Sequence, residues 1–300
     1  MATEVLTTES QQDAGFLDTE SSRMPRDVVA SLNYYNDPGD GSPPHPVFIG
    51  GNTVTNERPT IPTKVTVRDI TGEEDKYTLD GCGFQLCRHE AQSQCRQDGY
   101  RDDKQIKAEY FPEMEQMLKD VTGASRVFVF DHKTRHGPSN WHSLGAGNSA
   151  KRGPLHRVHV DQSYAGAEFL VRWYLPDEAE ELLKGRWMII NAWRPIKTIY
   201  KDPLCVADAR SVAEADLVAA RTVYRDHERE TWTVRPAEPH RWFFKRAQRP
   251  DEVLLIKCFD TVDDGGVARR VPHTAFHDPE HADGEWRESI EIRTMLFFDE

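Results

Sequence analysis

His159-Val160-Asp161 sets two metal-ligating side chains two residues apart. On a strand, residues i and i+2 share a face, so His159 and Asp161 point together while Val160 points away. Two imidazoles and one carboxylate on an octahedral iron leave three positions open. Two of these suit a bidentate keto acid and the third suits dioxygen. With twelve His in the chain, one HxD triplet is weak evidence by itself. A second copy, His281-Ala282-Asp283, lies in a polar, Pro- and Asp-rich stretch with no His after it. His159-Val160-Asp161 lies beside apolar residues and has His227, His240, His273 and His277 downstream.

The third ligand is chosen by the residues downstream of it. A keto diacid needs a cation for its distal carboxylate, best supplied by the planar fork of an Arg. His273 is followed 14 residues later by Arg287, in Arg287-Glu288-Ser289. Arg287 and Ser289 are again two apart and can grip one carboxylate from one face. Arg293 keeps the same parity and either assists that carboxylate or pairs with Glu291. His240 has no such pair close behind it, so His273 is preferred, with His240 as the other candidate.

These residues need elements to hold them. Thr63–Arg68 alternates like a strand, and Tyr77-Thr-Leu-Asp leads into GCGFQLC, with Gly81 and Gly83 breaking the run. Met114, Met117, Leu118 and Val121 fall at helical spacing, and Gly123 supplies a stop. Arg126–Phe130 reads as a buried strand, and residues 132–154 as one long polar, basic, Gly-rich loop of functional type. After His159-Val160-Asp161 comes a helical pair, the second helix opened by Pro176 and stopped by Gly185. Strands are expected at 187–193, 231–234, 241–245, 253–259 and 290–298, with a helix near 212–224. Many short strands and few helices imply a mainly β fold with flanking helices, a sandwich or barrel-like core.

Composition limits the partners. Asp plus Glu number 50 against 38 Lys plus Arg, a net charge of −12. That balance argues against nucleic acid, which needs a basic face, yet leaves room for a local basic pocket. Five Cys without a CxxC pair suggest free thiols in a reducing, cytoplasmic setting. No apolar run approaches the roughly 18 residues of a membrane span. Residues 1–25 read as a polar leader and residues 26–300 as a single domain. A small molecule is the expected partner; oligomeric state is open.

HxD, a distal His and RxS together resemble the iron(II)/2-oxoglutarate-dependent oxygenases. HVDQSYAGA, LPDEAEELLKGRWMIINAWRPIKT, DPLCVADARSV, FDTVDDGGVARRVPHTAFHDP and RESIEIR resemble a fungal hydroxylase/desaturase subgroup that includes gibberellin desaturase and has relatives in cephamycin clusters. The resemblance runs from about residue 64 to the C-terminus. It implies a double-stranded β-helix (jelly-roll, cupin-like), with Fe(II), 2-oxoglutarate and dioxygen as cofactor and cosubstrates. It implies oxidation of an unactivated C–H bond in a small specialised metabolite by hydroxylation, desaturation or cyclisation, releasing succinate and carbon dioxide. His159, Asp161 and His273 match the catalytic metal ligands; Arg287 and Ser289 match the keto-acid grip. Asn191 and Trp193 can point toward the pocket from one strand, or Trp193 can simply pack while Arg194 makes a surface ion pair. Gln162, Tyr164, Trp141 and His142 are candidates to face substrate; Arg135, Lys151 and Arg152 suit either an acidic substrate or loop solubility. The alternatives are a metal-dependent isomerase, epoxidase or dioxygenase without a keto acid, and a non-catalytic ligand-binding member.

Overall fold

The computed structural model describes residues 25–299. All but the last residue of the expected leader thus lies outside the described residues. Along the chain run β1 (Val28–Tyr35), β2 (Val47–Gly50), β3 (Thr53–Asn56), β4 (Thr60–Asp69), β5 (Phe84–Arg88), β6 (Arg126–Arg135), β7 (His159–Val160), β8 (Trp187–Pro195) and β9 (Leu204–Ala207). There follow β10 (Leu217–Val223), β11 (Glu228–Val234), β12 (Trp242–Phe244), β13 (Glu252–Asp260), β14 (His273–Ala275) and β15 (Ser289–Phe297). They form a ten-stranded sheet, ordered β1-β4-β12-β9-β14-β7-β11-β10-β2-β3, and a five-stranded sheet, ordered β5-β13-β8-β15-β6. The fold is mainly β, two sheets facing each other in a jelly-roll core.

The five-stranded sheet is covered on both sides, which is why β8 and β13 are buried throughout. Alternation sorts their residues. Met188, Ile190, Ala192, Val253, Leu255, Ile290 and Ile292 pack with Met114, Met117 and Leu118 of the helix Phe111–Thr122. Trp193, Leu254 and Ile256 face the other way, against Leu204, Val206 and Phe243 of the ten-stranded sheet. Asn191, Glu291 and Arg293 share the parity of this inner face, so polar groups enter the space between the sheets where apolar ones would be expected.

The helix Phe111–Thr122 ends at Gly123 (φ +72°), as its spacing predicts, preceded by one wide turn over Ile106–Tyr110. Two expectations are corrected. Residues 212–224 hold no long helix: Leu217–Val223 is β10, paired antiparallel to β11 from Leu217↔Val234 to Val223↔Glu228. Ala219 and Ala220 favour helix, but Val218, Thr222 and Val223 are β-branched and the cross-strand pairing prevails. The loop also begins later than residue 132. β6 continues to Arg135 because β15 pairs with it up to Ser289↔Arg135, so Arg135 stands on a sheet rather than in a loop.

The remaining loop is pinned. Trp141 Nε1 donates to the Pro154 carbonyl at 3.0 Å, and the Asn148 side chain bonds the Val54 N–H and carbonyl at 2.8 and 2.9 Å. Gly137 and Gly153 allow close backbone approach: a Cβ at Gly153 would stand 2.1 Å from the Pro138 carbonyl oxygen.

Gly83 anchors the approach to the second His strand. Its φ is +88°, and an added Cβ would stand 2.2 Å from Val271 Cγ2, two residues before His273. Gly83→Ala is expected to cost about 2–3 kcal/mol through overpacking and left-handed strain, measured as a drop in the denaturation midpoint.

Candidate active site

His159 and His273 are cross-strand neighbours. β14 pairs with β7 in the register His273↔His159, which sets their rings 4.4 Å apart. Each Nδ1 faces a backbone carbonyl two residues earlier: His159 to Arg157 at 2.8 Å, His273 to Val271 at 3.2 Å. With Nδ1–H donating, each Nε2 keeps its lone pair free and aimed at the common centre. Burial pushes His273 down to about 4, so its imidazole is neutral near pH 7.

Asp161 completes the group. Its Oδ1 lies 3.5 Å from His159 Nε2 and its Oδ2 lies 3.7 Å from His273 Nε2. Candidate ligand atoms of all three residues lie within 4.8 Å of one another. Asn191 and Arg293, paired in register across β8 and β15, hold the carboxylate from opposite oxygens. Asn191 Nδ2 donates to Oδ2 at 2.5 Å and Arg293 Nη2 to Oδ1 at 3.3 Å. Burial raises the Asp161 pKa, but Arg293 and the two imidazoles outweigh it and hold the carboxyl well below its usual range. Two imidazoles and one carboxylate fit a ferrous ion bound on one face.

Behind the group lies a narrow polar cavity whose walls include Arg135, Trp193, Thr274, Arg287, Glu291 and Arg293. Arg287 is buried, stacks over Trp193 at 5.3 Å, and donates Nη1 to the Asp202 carbonyl at 2.9 Å. Its Nε has no hydrogen bond, and among the described residues no carboxylate lies within ion-pair distance of it. Burial and the charge of Arg135 press Arg287 down to about 9. A buried guanidinium beside another one is a site for an anion. Ser289 is buried at the start of β15, on the same face as Glu291 and Arg293 and opposite Arg135.

On the other side of the triad a larger cleft, about 170 Å³, is lined by Gln162, Trp141, His142, Arg135 and Arg152. Tyr164 turns away and donates its hydroxyl to Glu214 at 2.8 Å. Lys151 is exposed. His240 stands outside the triad, with Nδ1 3.0 Å from the Tyr34 hydroxyl and Nε2 3.0 Å from Asp216. His281 ends a short turn and belongs to neither potential metal group. Arg194 is no surface residue: it is 1% exposed and donates to the Tyr110 hydroxyl and to the His89 and Pro250 carbonyls. Its parity on β8 is opposite to that of Asn191 and Trp193, so it serves the helix side of the sheet.

Comparison with known proteins places the chain in a family. The family model described as "YDMC: Oxidoreductase/YMDC permease-like domain" matches residues 32–297. Hydroxylase/desaturase efuI of Hormonema carpetanum is 35% identical over 91% of this chain and 96% of its own. The alpha-ketoglutarate-dependent dioxygenase phiK of a fungal species is 34% identical over 90% of this chain and 96% of its own. The chain belongs to the fungal iron(II)/2-oxoglutarate-dependent hydroxylase/desaturase family. The gibberellin cluster GA4 desaturase of Gibberella fujikuroi is a more distant relative, 26% identical over 92% of this chain and 97% of its own. Among solved structures, the iron and alpha-ketoglutarate-dependent endoperoxidase NvfI superposes with a TM-score of 0.73 at 25% identity, covering 92% of this chain and 98% of its own. This hydroxylase/desaturase homologue is an oxidoreductase that uses ferrous iron and 2-oxoglutarate. Among the described residues no helix is long and apolar enough to cross a membrane.

Asn191 orients the Asp161 carboxylate by its hydrogen bond. Removing such a hydrogen bond typically weakens metal affinity on the order of 10–100-fold. Asn191→Ala is expected to weaken iron(II) binding by that range, read by anaerobic titration.

Proposed function

We propose that His159, Asp161 and His273 hold the iron, and that Arg287, with Ser289 beside it, grips the distal carboxylate of 2-oxoglutarate. The convergence of the three donors, with a buried guanidinium lacking a carboxylate partner behind them, carries this reading. With dioxygen as cosubstrate, the bound iron and keto acid would supply an oxidant strong enough for an unactivated C–H bond, with succinate and carbon dioxide released. The chain's own contribution is placement. Cross-strand pairing fixes the two imidazoles, and the two backbone carbonyls fix their tautomers. Asn191 and Arg293 orient Asp161. Arg293 is already engaged by Asp161 and Glu291, at 3.3 and 2.7 Å, so its proposed part is holding the metal carboxylate more than holding the keto acid. Arg135 stands between the keto-acid cavity and the larger cleft, lining both.

The larger cleft supports a small specialised metabolite as substrate, oxidised by hydroxylation, desaturation or cyclisation. Its walls favour a substrate with an anionic or acceptor group. Arg152 lines it half-buried, with no carboxylate within ion-pair distance among the described residues. Both ring nitrogens of His142 are buried without hydrogen bonds, and burial, followed by the charge of Arg157, presses that imidazole down to about 4. A neutral His142 thus offers one donor and one acceptor. All five Cys are free, which supports the reducing, cytoplasmic setting. The described residues from 25 onward share one two-sheet core, which supports a single catalytic domain.

Anaerobic addition of iron(II) and 2-oxoglutarate is expected to give the visible metal-to-keto-acid charge-transfer band. Asp161→Ala and His273→Ala are expected to abolish it, and His240→Ala to keep it. A band that survives in His273→Ala would overturn the ligand set. Arg287→Gln is expected to raise the 2-oxoglutarate concentration needed for half-maximal band intensity by at least 10-fold, since a lost charge-assisted pair in a buried site is worth about 2–5 kcal/mol.

A further inference from the structure

We propose that His156, Asp202 and His277 form a second cation site, for a borderline divalent ion such as zinc, separate from the catalytic iron centre. Candidate ligand atoms of the three residues lie within 4.8 Å of one another. Asp202 Oδ1 stands 2.9 Å from His277 Nδ1 and 3.3 Å from His156 Nε2.

These short contacts lack hydrogen-bond alignment. His156 Nε2 and Asp202 Oδ1 are both buried, and neither has a hydrogen-bond partner. Nitrogen and oxygen therefore face each other at short range with N–H directions that miss. The two rings lie nearly parallel, 4.4 Å apart at 21°, so both present a nitrogen edge to the same oxygen. Two donors held about 2.0–2.2 Å from one ion, at tetrahedral or octahedral angles, stand about 2.9–3.5 Å apart. The observed separations fall in that window. They are also tighter than the 3.5 and 3.7 Å found in the iron triad.

The carboxylate is built in. The Asp202 side chain is 1% exposed, its other oxygen accepts the Ser139 hydroxyl, and its backbone takes a left-handed φ of +51°. His156 is mostly buried, whereas the His277 side chain is 69% exposed. A cation here would keep at least one position open to water and exchange with solvent. Imidazole nitrogen with a single carboxylate suits zinc over magnesium or calcium, which prefer all-oxygen sets. The site shares no ligand with the iron triad. The Asp202 carbonyl nonetheless receives Arg287 Nη1, so the two sites meet through that guanidinium.

The test is calorimetric titration of zinc alone into the metal-free full chain, with wild type, His277→Ala, Asp161→Ala and the double variant compared. Two equivalents are expected for wild type, one for each single variant and none for the double. His277 is exposed, so His277→Ala should leave the fold intact. If Asp161→Ala does not fold, wild type against His277→Ala still decides. Equal stoichiometry in those two proteins would overturn the site and leave an ion-paired His–Asp–His group. The iron–keto-acid charge-transfer band should persist in His277→Ala, so loss of the second site reads separately from loss of the first.

Discussion

A buried carboxylate that must stay charged governs the arrangement of this protein. Asp161 sits between two sheets, in a space that apolar packing would otherwise fill. Taking an anion out of water costs several kcal/mol unless partners compensate. Here one cation and one amide meet its two oxygens, and both come from the inner face of the five-stranded sheet. The two imidazoles come from the opposite sheet. The centre therefore exists only when both sheets are docked in register. Register is set in turn by the apolar residues that alternate with the polar ones along β8 and β15.

The same alternation explains how one strand serves two purposes. On β8, Asn191 and Trp193 face the centre, while Ile190 and Ala192 face the helix Phe111–Thr122. Arg194 continues the helix-facing set and ends in a closed hydrogen-bond cage. A one-residue slip would send Asn191 into the apolar helix interface and Arg194 toward His159, Asp161 and His273. Burial on both faces makes such a slip costly, so structural packing protects the chemistry.

Much of this was legible in the sequence. HxD spacing, a later His and an RxS pair are local patterns with direct stereochemical meaning, and the strand that carries Arg293 could be read from its alternation. Legibility failed where meaning depends on pairing. Leu217–Val223 contains helix-favouring Ala and became a strand only because Glu228–Val234 lies beside it. Arg135 looked like part of a polar loop because nothing local says that β15 extends β6. Arg194 looked like a surface cation because its cage comes from residues 56 to 105 positions away. The His156–Asp202–His277 group was invisible for the same reason: its members lie on three separate segments with no shared spacing.

The segment between Gly137 and Gly153 is fastened at its base by backbone contacts only a glycine permits, and again by Trp141 and Asn148. Ser139 and Ser149 tie it further, to the Asp202 carboxylate and the Asn52 carbonyl, while His142 and Arg152 border the larger cleft. The chain therefore separates a fixed reaction frame from an exchangeable cassette. A change of side chain between the two clasps, at His142 or Arg152, would alter which molecule is admitted without touching the strands that carry His159 and His273.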